Sequence, residues 1–216
     1  MKAAILGTGM VGEMIGSKLI ELGHSVKMGS RSADNEKGKN FAQKSPRASS
    51  GTFAEAAAFG EIVFNCTAGM SSLDALKLAG DENLKRKIIV DISNPLDFTN
   101  GMPPTLSVVN TTSLGEEIQK AFPESRVVKT LNTINCIIMV HPEIVNGGDH
   151  NIFMSGNDAE AKCEVKEILK SFGWNESNIL DLGDIASARA TEMYLPLWVR
   201  MYGAKGTGAF NIKIVS

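Results

Sequence analysis

The chain has 216 residues, 43% of them hydrophobic and 21% charged, with a formal net charge of −2. That composition is globular, long enough to bury a large core, and without a Lys/Arg run it excludes a nucleic-acid binder that tracks a phosphate backbone. Three widely separated cysteines (Cys66, Cys136, Cys163) show no metal-ligand or disulfide-framework spacing, so no metal is expected and reduced thiols in a cytoplasmic protein are the reading. Met1–Leu6 is apolar for too few residues to be a signal peptide, and no window offers the ~18 apolar residues of a membrane span.

Short β-branched runs alternate with helical periodicity, which predicts βαβ units. Ala3–Leu6 reads as the first strand and Met10–Leu22 as the first helix, with Met10, Val11, Met14, Ile15, Leu19 and Leu22 on one face. Gly23 ends that helix and Ser25–Gly29 makes a second strand. Residues 32–51 are polar and read as a mobile loop with room for one helix. Thr52–Phe59 is a short helix with a capping-box spacing from Thr52 to Glu55. Ile62–Cys66 reads as a strand, Ser71–Ala79 as a helix, Lys87–Ile92 as a strand, 113–121 as a helix and 126–131 as a strand. Asn151–Ser155 and Asn178–Leu182 read as strands around a helix over Asp158–Phe172. Ile185–Tyr202 reads as one helix, apolar nearly all round, and Gly206–Phe210 as a glycine turn into a final strand. The expected architecture is α/β, a Rossmann-type doubly wound, mainly parallel sheet over residues 1–183, with a small helical C-terminal segment over 184–216.

Gly7-Thr8-Gly9-Met10-Val11-Gly12 matches G-x-G-x-x-G straight after the first strand and at the start of the first helix. Gly7 serves the tight turn, Gly9 the close approach of a pyrophosphate and Gly12 the packing of helix on strand. The helix N-terminus adds unpaired N–H groups and a positive dipole end. An NAD site would place an acidic residue at the end of the second strand, about 20 residues beyond the glycines. Here that strand ends Gly29-Ser30-Arg31-Ser32, two hydroxyls around a guanidinium, which suits the 2′-phosphate of NADP(H). Asp34 is the rival for the ribose, and Lys37 a lesser candidate for the phosphate.

With Asp91-Ile92-Ser93-Asn94-Pro95, Val127–Thr133, Ser187-Ala188-Arg189, Pro196 and the Gly206–Gly208 tail, these motifs make most of the chain resemble the coenzyme F-420-dependent NADP oxidoreductases. The resemblance implies a Rossmann domain, a C-terminal segment that helps form the substrate pocket, self-association as a homodimer, and hydride transfer between nicotinamide and deazaflavin rings. It implies that Ser30 and Arg31 hold the 2′-phosphate, that Thr67 and Ala68 line the dinucleotide, and that Ser93, Asn94 and Pro95 sit near the nicotinamide. Asn132 and Thr133 would face the second ring, with Arg189 reaching in from the C-terminal helix. Independently, Gly7, Thr67, Ser93-Asn94 and Asn132-Thr133 all follow predicted strands, where parallel sheets bind ligands. The sequence departs from the deazaflavin users at Asn132, where they tend to carry His, and at Met193 and Leu195, where they carry Ser and Thr. That leaves room for a flavin or another hydride acceptor.

Ring-to-ring hydride transfer asks for positioning more than acid–base help, so no catalytic side chain is assigned. A reductase of small imines or ketones, as in the pyrroline-carboxylate reductase relatives of this fold, would need a proton donor, for which His141 is the candidate. A non-catalytic NADP redox sensor is the third reading. His24 and His150 read as ordinary surface or loop residues. Cys136 reads as inert unless its pKa is depressed, and Trp174 and Trp198 as packing residues, with Trp198 a candidate dimer anchor.

Overall fold

Eight strands lie side by side in the order β10-β9-β8-β5-β4-β1-β2-β3 in the computed structural model, which describes residues 1–215. β1 is Lys2–Leu6, β2 Ser25–Ser30, β3 Ala48–Thr52, β4 Ile62–Asn65 and β5 Ile88–Asp91. A small antiparallel pair, β6 (Leu96–Asp97) and β7 (Thr105–Leu106), stands apart, and β8 (Arg126–Thr130), β9 (Ile152–Gly156) and β10 (Ile179–Asp181) complete the main sheet. All pairs in it are parallel except β8 with β9. The order reverses direction between β1 and β4, the switch point of a doubly wound Rossmann sheet, where a crevice opens outside the carboxyl ends.

The central strands carry unbroken apolar runs because helices cover both faces; every residue of β4 and β5 is buried. On one face Ala3, Ile5, Val90 and Val128 meet α1 (Met10–Glu21), α2 (Glu36–Ala42), α7 (Cys136–Val140) and α8 (Ala159–Ser171) through Ile15, Phe41, Ile138 and Leu169. On the other, Ala4, Leu6, Val63 and Ile89 meet α3 (Phe53–Phe59), α4 (Ser72–Ala79), the short α5 (Asp81–Leu84) and α6 (Leu114–Ala121). The Thr52–Glu55 capping box is formed, each side chain taking the other's backbone N–H.

Four expectations need correction or extension. The polar 32–51 segment holds both α2, capped by Asn35, and the edge strand β3. β3 lacks apolar alternation and is held instead by its ladder to β2 and by the Ser49 hydroxyl donating to the Val26 carbonyl. The helix expected over Ile185–Tyr202 is three pieces: a single 3₁₀ turn at Ile185–Ser187, α9 (Ala188–Met193) and α10 (Leu195–Lys205). Pro196 sits in the first turn of α10, where its missing N–H costs nothing, and so marks a restart rather than a helix interior. Among the described residues the tail forms no final strand. β9 already has a neighbour on each edge, and the tail bonds to the residues just before it: the Asn151 N–H donates to the Ile212 carbonyl and the Asn151 side chain accepts from the Ile214 N–H. His150 is not on the surface but buried. Its Nε2 lies 2.9 Å from the Pro142 carbonyl and its Nδ1 2.7 Å from the Asn211 amide, with its ring edge-on to Trp174. It is a packing residue that pins the tail.

Candidate active site

A cleft of about 810 Å³ opens at the carboxyl ends of β1, β2 and β4. Gly7, Thr8, Gly9, Ser30, Arg31, Ser32, Thr67 and Ala68 line it, together with Asp34, Asn35, Phe53, Cys66 and residues of α4 that the sequence reading did not include: Asp74, Ala75 and Leu78. These last carry no local motif; only the packing of α4 beside the crevice brings them there.

The glycine turn is built for a close backbone approach. Gly7 has φ +115°, and a Cβ there would meet the Cys66 carbonyl at 2.7 Å. A Cβ on Gly9 would meet nothing within 4 Å, so the space in front of the α1 N-terminus is open. Gly9 is the N-cap residue and supplies no side chain to the first-turn N–H groups, which leaves them for an anion. Met10 is exposed at that turn, Val11 partly buried and Gly12 buried. A Cβ on Gly12 would stand 2.2 Å from the Gly7 carbonyl oxygen. Gly12→Ala is therefore expected to lower stability by about 1–3 kcal/mol by overpacking and to displace the turn. Urea unfolding measures the first effect; a midpoint equal to that of the unmodified protein would contradict the contact.

At the end of β2 the charges sort cleanly. Asp34 is paired with Lys39 at 3.1 Å, whereas Arg31 is exposed and makes no hydrogen bond or ion pair among the described residues. Ser30 is buried and its hydroxyl already donates to the Ser32 carbonyl at 2.5 Å, so it shapes the turn rather than offering a free donor. The Ser32 hydroxyl accepts from the Asp34 N–H and keeps its own proton for a ligand.

Behind the cleft wall lies a buried polar network that the sequence reading missed. Thr67 donates to Asn65 at 2.7 Å, Asn65 to Asp91 at 2.9 Å, and the Ser93 hydroxyl to the same Asp91 oxygen at 2.7 Å. The Lys129 ammonium, 1% exposed, donates to Asp91 (2.9 Å) and to the Ser93 carbonyl (2.5 Å), and lies 2.8 Å from Glu192. Burial alone would pull its pKa down, but the Asp91 and Glu192 carboxylates reverse that and hold it above the ordinary lysine value. Glu192 also accepts the Leu114 and Gly115 N–H groups at 2.8 and 3.0 Å, capping the start of α6. Ser93 is thus turned into this network, Pro95 is buried, and Asn94 forms a reciprocal pair with Asn132: the Asn94 amide donates to the Asn132 carbonyl (2.8 Å) and the Asn132 amide to Asn94 Oδ1 (2.9 Å). Thr133 is buried with its hydroxyl unpartnered. These residues form the floor beyond β5 and β8, next to the cleft rather than in its lining.

Arg189 does not line the cleft. It forms a bidentate pair with Glu116 of α6, Nε to Oε2 at 2.8 Å and Nη2 to Oε1 at 2.5 Å. Arg189, first, and then Ser113 hold the Glu116 carboxyl below its ordinary pKa against the opposing effect of burial. A depressed folded-state pKa gives stability that is present above the unfolded value and lost as pH falls through the folded one. The stability difference between the unmodified protein and Glu116→Gln is accordingly expected to be constant from pH 6 to 8 and to shrink below about pH 4. Denaturation series at each pH test this, and a gap that widens in acid would contradict it. Met193 is exposed on α9 and Leu195 is buried. His141 pairs with Glu143 at 3.2 Å. Burial pushes the thiol pKa of both Cys66 and Cys136 up, so neither is an activated nucleophile. Among the described residues there is no group of His, Cys, Asp or Glu that could hold a metal ion, and no helix is long and apolar enough to cross a membrane.

Residues 2–95 match the family model described as NADP oxidoreductase, coenzyme F420-dependent. The chain is 51% identical to a protein of Arthrobacter sp. FB24, provisionally described as an F420-dependent NADP-reductase, over 100% of both chains with a TM-score of 0.94. The chain belongs to the coenzyme F420-dependent NADP oxidoreductase family. As a member it is an NADP-dependent oxidoreductase. It is also 30% identical to the metalloreductase STEAP3 of Rattus norvegicus over 203 residues, 91% of this chain; it spans 38% of that relative's length. A reductive aminase of Aspergillus terreus, solved with NADPH and ethyl levulinate, shares the fold at 19% identity, with a TM-score of 0.66 over 95% of this chain and 62% of the other.

Proposed function

We propose that this family member transfers a hydride between NADP(H) and a flavin-like or deazaflavin ring. The observation that carries the cofactor half is Arg31. An exposed guanidinium with no partner among the described residues stands at the cleft edge, while Asp34, the acid just beyond that strand end, already faces Lys39 at 3.1 Å. An unpaired fork of donors suits a 2′-phosphate, and a free carboxylate would have suited a ribose hydroxyl. The open face at Gly9, the free first-turn N–H groups of α1 and the cleft volume fit the pyrophosphate and adenosine portions.

NADPH, when bound, supplies the hydride. The chain's own contribution is to bind, orient and exclude water: Gly7–Gly12 receive the pyrophosphate, Ser32 and Arg31 the 2′-phosphate, Thr67 and Ala68 the central wall, and the Ser93-Asn94-Pro95 floor the nicotinamide. The second ring would face Asn132 and Thr133, whose buried free hydroxyl supports a polar ligand atom there. Residues 184–216 would close the substrate pocket around Met193 and Leu195. In a cytoplasmic homodimer this segment would also meet its counterpart, and the exposed Met193, Leu197 and Tyr202 support that role. Arg189 would act from its Glu116 pair, steadying α9 rather than touching substrate.

NADPH oxidation with coenzyme F420, FMN and riboflavin, beside NADH controls, tests the reading. Turnover with one of these rings and NADPH, and little with NADH, is the expected result. Turnover only with a small imine would replace it by the imine-reductase reading, and tight NADPH binding with no turnover by the sensor.

A further inference from the structure

Lys129 occupies an unusual position for a lysine. Its three donors are spent on three separate parts of the molecule: Asp91 at the end of β5, the Ser93 carbonyl in the turn that follows, and Glu192 on α9. Each partner is itself fixed. Asp91 takes donors from Asn65 and Ser93, and Glu192 takes two N–H groups of α6. α9 packs closely on α6 at Gly115, where a Cβ would stand 3.1 Å from that of Ala188. One residue beyond the gripped Ser93 carbonyl, Asn94 carries the reciprocal bond to Asn132. The turn after β5 and the turn after β8 are therefore locked together, and the lock is held from the C-terminal segment.

We infer that Lys129 and Glu192 are positioning residues for the nicotinamide end of the site, fastening the Ser93-Asn94-Pro95 turn to the C-terminal helical segment so that this segment sets the floor on which the ring lies. This rests on the proposed placement of the nicotinamide against that turn. Neither side chain touches the cleft that would take the adenosine half, whose lining ends at Thr67, Ala68 and α4. A purely structural role for the ion cluster would weaken both halves of the site together or neither; a positioning role weakens only one.

The test uses two probes on the full chain by titration calorimetry: NADPH, and 2′,5′-ADP, which carries the phosphate and adenosine but no nicotinamide. Glu192→Gln keeps size and one acceptor and leaves the Lys129–Asp91 pair balanced. It is expected to weaken NADPH about tenfold or more, the order of one lost charge-assisted hydrogen bond, with 2′,5′-ADP unchanged within about twofold. Should this variant fold poorly, Asp91→Asn combined with Lys129→Met and Glu192→Gln leaves no charge buried, a change that proteins often tolerate. It removes the grip on the Ser93 carbonyl and is expected to show the same selective loss. Equal losses for both probes, or none for either, would overturn the inference. Failure of the unmodified protein to bind 2′,5′-ADP would instead overturn the NADP reading on which it rests.

Discussion

Lys129→Met is expected to cost about 3–5 kcal/mol of stability, the usual penalty for taking one partner out of a buried ion cluster. Asp91 and Glu192 are both buried, and without the ammonium two carboxylates would share a site closed to water. The loss is a large part of the 5–15 kcal/mol that typically separates folded from unfolded states. The remaining donors soften it only partly: Asn65 and Ser93 still serve Asp91, and the α6 N–H groups still serve Glu192. The raised pKa fixes the pH behaviour. A lysine whose folded pKa lies above the unfolded one stabilises fully below about pH 10 and loses that contribution only above it. The lysine's own contribution to the gap between the unmodified protein and Lys129→Met is therefore expected to be flat across neutral pH. Urea denaturation at pH 7 and pH 8 measures it. A loss under about 1 kcal/mol would mean that the cluster is not closed to solvent as the structure has it.

Arg31→Ala should do the opposite: leave the fold alone and change the ligand. Arg31 has no partner among the described residues to lose, so unfolding midpoints should stay within the ±0.5 kcal/mol usual for surface changes. NADPH affinity is expected to fall about 10–100-fold, the worth of a charge-assisted contact of roughly 1.5–3 kcal/mol, with NADH affinity unchanged. Arg31→Lys keeps the charge but not the planar fork and should fall between the two. Titration with both nucleotides decides the matter. Equal weakening of NADPH and NADH would show that Arg31 serves the common part of the dinucleotide, and no weakening of either would remove it from the site.

Much of this molecule is written locally. The alternation of Ala3–Leu6, Ile62–Cys66 and Lys87–Ile92 with helical stretches predicts a parallel sheet because strands covered on both faces must be apolar throughout. The glycine turn is legible because its spacing follows from backbone meeting backbone: Gly12 against Gly7, and Gly7 against Cys66. Arg31 is legible because a strand end and a charge are both local facts, although its freedom, and the capture of Asp34 by Lys39, are not. The strand β3 escapes because an edge strand made of Ala-Ser-Ser-Gly-Thr has polar residues where periodicity looks for apolar ones. The break between α9 and α10 is marked in advance only by Pro196, a residue equally at home in a loop.

The parallel core of the sheet, the dinucleotide turn and the family can be read along the chain; where the charges go depends on the folded molecule. Lys129 reads as one more polar residue at the end of an apolar strand, and Glu192 as an ordinary acid in a helix. Their partners are 38 residues away at Asp91 and 77 and 78 residues away at Gly115 and Leu114. Arg189, which by resemblance reaches for substrate, is held by Glu116 from 73 residues away. A backbone pattern repeats along the chain and can be read from neighbours. A buried charge is stable only beside its counter-charge, and nothing but the folded chain brings the two together.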